Sequence, residues 1–226
     1  MSQEPTKLRF NAAITIDVII FTVSDGRLKT LLIKRKNPPY QGVRAITGGF
    51  LSPEETPDQA ARRILKQKAG ITDVYLEQLY TFDRSDRDPR GHVISIAYFA
   101  LVPESKLQGL TGDSIENPEL FDVHYLPDIA FDHDEIIKYA LKRLRNKLEY
   151  TNIVYSLLPH TFTLTQLQNT YEIILGQQLD KRNFRKKFLS LDLITETDEK
   201  LTGGRHRPAS LYRFNSTTPV ELERSF

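Results

Sequence analysis

Three groups of residues in this chain have the types and spacing to do chemistry. The segment Asp83-Arg84-Ser85-Asp86-Arg87-Asp88-Pro89-Arg90-Gly91-His92 alternates acids and bases over ten residues. A guanidinium forks onto phosphate and a carboxylate accepts from ribose hydroxyls, so this composition fits a sugar-nucleotide ligand, with a self-neutralising surface loop as the alternative. Gly48 and Gly49, read as lying before a helix, can present backbone N–H groups to a phosphate, and Arg35 at a strand end adds a charge-assisted contact. Two glycines that only permit a tight turn are the plainer alternative. Together with Phe50, these residues define an expected ligand site of Arg35, Gly48, Gly49, Phe50, Arg84, Asp86, Arg87, Asp88 and His92. The third group is basic: Arg182, Arg185 and Lys186, followed by Arg205, His206 and Arg207, which can reach the phosphates and base edges of a duplex.

These side chains need elements to hold them. Ala12 to Val23 is rich in Ile, Val and Thr, and Ser24-Asp25-Gly26 is a turn before Leu28 to Lys34, so the two runs read as a hairpin. Leu76 to Asp83 and His92 to Val102 read as further strands, the second apolar enough to be central, with the charged segment as the loop between them. Pro57 to Ala69 reads as a helix with both ends marked: Thr56 as N-cap, Pro57 at its first position, Gln59 completing a capping box, and Gly70 as a left-handed C-cap. Strands continue to about Tyr125. Asp132 to Glu149 then has the 3.6-residue apolar rhythm of an amphipathic helix, with acids first and bases last.

Three helical pieces are expected next: Asn152 to Leu158, Thr163 to Leu175 ending at Gly176, and the basic Asp180 to Leu191. Leu193 to Thr197 and Ala209 to Phe214 read as a two-stranded ribbon, with Asp198 to Pro208 as its long basic tip. The last two helices and the ribbon have the order of a winged helix-turn-helix, in which Phe184, Phe188 and Leu191 face the core. A wing also serves as a protein-interaction element, so that alternative stays open.

Composition narrows the class. The chain has 226 residues with 10 Tyr, 12 Phe and no Cys, which excludes a disordered chain, disulfides, Cys-ligated metals and thiol nucleophiles. It has no apolar run long enough to span a membrane and no secretory-signal pattern, so the expected location is cytoplasmic. Residues 1–149 carry 21 basic and 21 acidic side chains, whereas residues 181–213 carry 9 basic and 4 acidic. A neutral body with a basic C-terminal segment implies two modules, divided as 1–149 and 150–226, the second suited to a polyanion.

The stretch from Gly49 to Ile71 resembles the Nudix box, G-x5-E-x7-R-E-U-x-E-E-x-G-U, where U is aliphatic. Gly49, Glu55, Arg63, Leu65, Gly70 and Ile71 fall on its positions. The resemblance implies an α/β fold, a Nudix-like α/β/α sandwich with a mixed sheet. In active members of the family, three Glu on one face of the helix gather Mg²⁺ for pyrophosphate hydrolysis. Here Ile64, Gln67 and Lys68 stand at those positions, and neither an aliphatic nor a cation ligates a hard ion, so neither a metal site nor catalysis is expected. Glu55 is expected to pair with Arg63.

With the loop Thr81 to Ser95 and the tail Leu179 to Phe214, the chain as a whole is similar to the Nudix-related transcriptional regulators of NAD metabolism. That resemblance implies a dimeric bacterial repressor of NAD-biosynthesis genes. Its N-terminal domain would bind ADP-ribose or a related nucleotide as effector, with no required cofactor, and its winged helix would bind a palindromic DNA operator. The DNA-binding positions expected are Thr163, Thr165, Gln166, Lys181, Arg182, Asn183, Arg185, Lys186, Arg205, His206 and Arg207. Two alternatives belong to other classes. One is an ADP-ribose pyrophosphatase with a non-standard metal site drawn from Glu54, Glu55 and the acids of residues 83–88; the other is a module binding RNA or protein through its basic C-terminal face.

Overall fold

The computed structural model describes residues 12–107, 117–201 and 208–222. The β-branched run forms β1 (Ala13–Ser24), and Asp25 and Gly26, at φ of 50° and 68°, turn the chain back into β2 (Arg27–Lys34). Positive φ at both central residues matches the right-handed twist of a two-residue hairpin and sets the register, with Phe21 opposite Thr30. The short strands β3 (Arg44–Ala45) and β4 (Thr47–Phe50) come next, β4 lying antiparallel to β1.

Helix α1 (Pro57–Ala69) has the ends its sequence marks. Thr56 and Gln59 make a reciprocal capping box, and Gly70 takes the left-handed conformation at φ 59°. Strands β5 (Tyr75–Phe82) and β6 (Val93–Leu101) pair antiparallel, and β6 runs parallel to β1 from Ala13 opposite Val93 to Phe21 opposite Leu101. With β7 (Glu119–Asp122) against β2, this gives a mixed seven-stranded sheet of order β3-β2-β1-β6-β5, with β4 on β1.

Because side chains alternate across a strand, β1 supplies two cores. Ile16, Val18 and Ile20 pack on Ala60, Ala61, Ile64 and Leu65 of α1. Ile19 and Phe21 point the other way, towards Ile136, Ile137, Ala140 and Leu144 of α2 (His133–Leu148). Asp17 shares that second face and is buried.

The second core continues through α2 into the C-terminal part, which holds α3 (Leu164–Leu175), α4 (Lys181–Ser190) and the antiparallel pair β8 (Ile194–Leu201) and β9 (Ala209–Phe214); Phe162 before α3, Leu167 and Tyr171 of α3, and Phe184 and Phe188 of α4 join it. The helical piece before Pro159 is a short 3₁₀ helix, Ile153–Leu157. One expectation needs correction here. Strand β8 runs on to Leu201, because pairing with β9 resumes at Lys200 beyond an irregularity after Glu196. No helix among the described residues is long and apolar enough to cross a membrane.

Candidate functional site

A cleft of about 270 Å³ opens beside β1 and β4 and is walled by the charged loop and the start of α2. Of the nine expected ligand residues, Arg35, Gly48, Gly49, Phe50, Arg87 and Asp88 line it. Arg84, Asp86 and His92 do not. Arg84 is ion-paired with Asp86 at 2.7 Å and with Glu135 at 3.1 Å on the exposed outer side of the loop. His92 is exposed, with its backbone carbonyl accepting from Ala13 N–H.

The two glycines do not form a phosphate-binding turn. They belong to β4, with Gly48 opposite Asp17 and Gly49 opposite Ile16, and the helix begins only at Pro57. Gly48 is small for another reason: a Cβ there would stand 2.1 Å from Asp17 Oδ1, whereas one on Gly49 would make only an ordinary contact with Ile64 at 3.5 Å.

Asp17 anchors a buried polar cluster under the cleft. Its Oδ2 accepts from Ser95 Oγ at 2.6 Å and lies 3.5 Å from Arg87 Nη2. Arg87, the loop residue expected to reach a ligand, instead donates twice to Asp132, at 2.8 and 2.7 Å, and its side chain is only 3% exposed. Burial demands a partner for so large a cation, and Asp132 supplies it in place of capping α2.

Beside this pair, His133 Nδ1 accepts from Ile46 N–H at 3.2 Å, which leaves its proton on Nε2, 3.9 Å from Asp17 Oδ1. Burial pushes the His133 imidazole below its ordinary range against the opposing pull of Asp17, so it is neutral at physiological pH. Asp88 is held by two side-chain hydrogen bonds from Arg90, at 2.9 and 2.6 Å. Burial acts to raise its pKa, but these bonds outweigh it and the net shift is downward.

The cleft walls were only partly legible beforehand. Phe131, in the left-handed region at φ 57°, places its ring under Arg35 at 4.7 Å and near Arg90 at 5.7 Å. A bulky residue tolerates that backbone conformation only when its surroundings enforce it. Asp17, Lys36, Lys68, Arg90, Phe131 and His133 all line the cleft and were not expected there. One signal existed for Asp17: a single carboxylate inside an otherwise apolar strand. Five cationic side chains (Arg35, Lys36, Lys68, Arg87 and Arg90) and two carboxylates, Asp17 and Asp88, line the cleft; Arg87 is paired with Asp132 and Arg90 with Asp88, so the excess of positive charge comes from Arg35, Lys36 and Lys68. The surplus of positive charge selects an anionic ligand.

The box positions do not assemble a metal centre. Glu55 accepts from Arg63 at 2.9 and 2.6 Å and from Ser52 N–H at 2.8 Å, which lowers its pKa to about 2, the Arg63 bonds being the largest cause. Ile64 is buried beneath Gly49, and Gln67 accepts from Arg63 Nη1 at 3.3 Å. Among the described residues, no group of three or more His, Asp or Glu side chains is arranged to hold a metal ion. The Mg²⁺ that the Nudix box implies does not fit Ile64, Gln67 and Lys68 at the box positions.

The second candidate surface lies on α3 and α4. Thr163 and Gln166 form a capping box at the start of α3, and Thr163 is buried, so neither its hydroxyl nor its position reaches outward. Asp180 caps α4 through Asn183 N–H at 2.7 Å. Phe184 and Phe188 turn inward onto Tyr171, at 5.4 and 5.7 Å between rings, leaving Lys181, Arg182, Asn183 and Lys186 exposed on the opposite face. Leu191 is partly buried against the same core. Arg185 is half-buried and donates to Thr165 Oγ1 at 3.0 Å, bridging α3 and α4. Arg205, His206 and Arg207 lie outside the described residues. The first turn of α2 forms part of the cleft wall, and near its other end Arg145 Nε donates to the Ile174 carbonyl of α3 at 2.8 Å.

Comparison with known proteins agrees with this layout. Residues 13–140 match the NUDIX domain, and residues 154–214 match the NrtR DNA-binding winged helix domain. The chain is 41% identical to the ADPR responsive transcriptional repressor NtrR of Acinetobacter baylyi, over 88% of this chain and 81% of that protein. It resembles the crystal structure of Shewanella oneidensis NrtR complexed with a 27mer DNA with a TM-score of 0.81 and 32% identity, covering 89% of this chain and 93% of that one. The NUDIX domain of that protein, complexed with ADP ribose, matches with a TM-score of 0.54 and 31% identity, over 63% of this chain and 94% of that one.

Proposed function

Because this chain belongs to the NUDIX domain family and, through its C-terminal part, to the NrtR winged-helix regulators, we propose that it is a DNA-binding transcriptional repressor released from its operator by ADP-ribose or a closely related NAD-derived nucleotide. The observation that carries this reading is the cation-lined cleft whose wall is the first turn of α2, the helix that ends against α3. A ligand that draws in Arg35 and Arg90 acts on Phe131 between them, and Phe131 immediately precedes Asp132, the N-cap position of that helix.

In this reading, residues 1–149 bind the effector, and residues 150–226 bind DNA through α4 and the β8–β9 wing. The protein works in the cytoplasm as a homodimer at a palindromic operator of NAD-biosynthesis genes, since one winged helix alone buries too little surface for tight selective binding. It needs no cofactor and is not a hydrolase: Ile64, Gln67 and Lys68 supply no carboxylate for a metal.

Effector and operator share one coupling free energy, typically about 1–3 kcal/mol, so each weakens the other by the same factor. Fluorescence anisotropy of labelled operator with and without ADP-ribose, and calorimetry of ADP-ribose with and without operator, both at one salt concentration, measure the two sides. Equal reductions are expected. Identical ADP-ribose affinity for free and operator-bound protein overturns the switch, and Mg²⁺-dependent release of AMP overturns the non-enzymatic reading.

A further inference from the structure

We propose that Lys68 stands in for a divalent ion, its ammonium neutralising the diphosphate of the bound effector directly so that recognition is independent of metal. This deepens the effector reading above and rests on it for the identity of the nucleotide. Lys68 occupies the last of the three box positions that carry carboxylates in metal-binding members of the family, and in this structure it lines the cleft with Arg35, Lys36 and Arg90.

Helix geometry puts it there. Lys68 follows Ile64 by four residues and so stands on the same face of α1, one turn along, and Ile64 is the side chain packed beneath Gly49 in the cleft floor. The same face that would present carboxylates to a metal therefore buries an aliphatic beneath Gly49 and presents a cation to the cleft. An ammonium is a compact point charge that binds a phosphate oxygen without demanding a bidentate approach, which suits a position reached from a helix turn below the cleft.

The charge arithmetic agrees. Asp17 and Asp88, the carboxylates in the lining, are held by Ser95 and Arg90, so neither is placed to bring in Mg²⁺, whereas a diphosphate meets a surplus of cations. A metal ion would have to enter against Lys68; an anion enters towards it.

Calorimetry on the full chain tests this with two probes, ADP-ribose and inorganic pyrophosphate, each in EDTA and in Mg²⁺. The wild type is expected to bind ADP-ribose with the same affinity in both buffers. Lys68→Gln should weaken it about tenfold to hundredfold in both, as befits one charge-assisted hydrogen bond. Lys68→Glu should weaken it further in EDTA and regain part of the loss in Mg²⁺, and Lys68→Arg should restore most of the affinity, which excludes a mere packing defect.

Wild-type binding that needs Mg²⁺, or a Lys68→Gln affinity within twofold of wild type, overturns the proposal. If pyrophosphate binds in EDTA and depends on Lys68 while ADP-ribose does not bind, the choice of effector fails and the proposal for Lys68 holds. If neither probe binds the wild type in EDTA, the proposal fails with it.

Discussion

Replacing Arg87 by Leu strands Asp132 and Asp17 beneath the cleft without their cation. The side chains of Arg87 and Asp132 are each 3% exposed and that of Asp17 is 8% exposed, so water cannot take over the lost hydrogen bonds. Removing one member of a buried, bidentate pair costs about 3–5 kcal/mol, chiefly because the remaining charge is uncompensated. Against a total stability of about 5–15 kcal/mol, that is at least about a fifth of the whole for a typical domain. Arg87→Lys should recover only part of the loss, since an ammonium cannot reproduce the two parallel bonds to Asp132. The double variant Arg87→Leu, Asp132→Leu should be less destabilised than the sum of the single changes, because it removes the stranded carboxylate along with its partner. Urea unfolding followed by circular dichroism and by tyrosine fluorescence reads these differences; the chain has 10 Tyr and no Trp. If Arg87 were a ligand-grasping residue, as its place in the charged loop suggests, the unfolding midpoint would stay put and only effector affinity would fall. An Arg87→Leu midpoint equal to wild type would falsify the buried-brace assignment.

Gly48→Ala should disrupt the same cluster, because its Cβ would fall 2.1 Å from Asp17 Oδ1 and 3.2 Å from the Ile16 carbonyl oxygen; unfolding by urea should show a clear loss, and a neutral result would mean that Asp17 moves freely. Glu55 should titrate near pH 2 by carboxyl NMR, so whatever its Arg63 bridge contributes is present above its ordinary value of 4.5 and is lost as pH falls towards 2; Arg63→Met should return the midpoint towards 4.5, and an ordinary midpoint in the wild type contradicts the bridge. Lys186→Ala, which removes an exposed cation of α4, should weaken all duplexes alike and lower the salt dependence by about one charge. Thr165→Val should lower operator affinity although it removes no charge, since Thr165 holds Arg185; unchanged binding would assign Arg185 its position by some other contact.

Much of the fold was legible because its signals are local. Thr56, Pro57, Gln59 and Gly70 set both ends of α1 within their own turns, and Thr163 and Gly176 do the same for α3, since capping needs only neighbours along the chain. The hairpin of β1 and β2 follows from alternation and one turn, and the mixed sheet matches the resemblance of the Gly49–Ile71 stretch. The face of α4 that carries Arg182 and Lys186 could be read because two inward aromatics, Phe184 and Phe188, fix its rotation.

The cleft belongs to tertiary structure alone. Its lining comes from β1, β4, α1, the charged loop and the start of α2, positions as far apart in the chain as Asp17, Lys68 and His133, and no local pattern records that these will meet. Composition placed Arg87 and Arg84 together as ligand contacts; burial decided otherwise, drawing Arg87 onto Asp132 and leaving Arg84 outside with Glu135. Gly48 and Gly49 look in sequence like a turn and are in fact a strand, and what requires glycine at position 48 is the approach of Asp17 from the neighbouring strand. By itself, then, the sequence determined which segments fold into which elements and which chemical groups the protein owns. Which of those groups face a ligand and which are consumed in holding the cleft together was decided by desolvation, which acts only once distant segments pack and water is excluded between them.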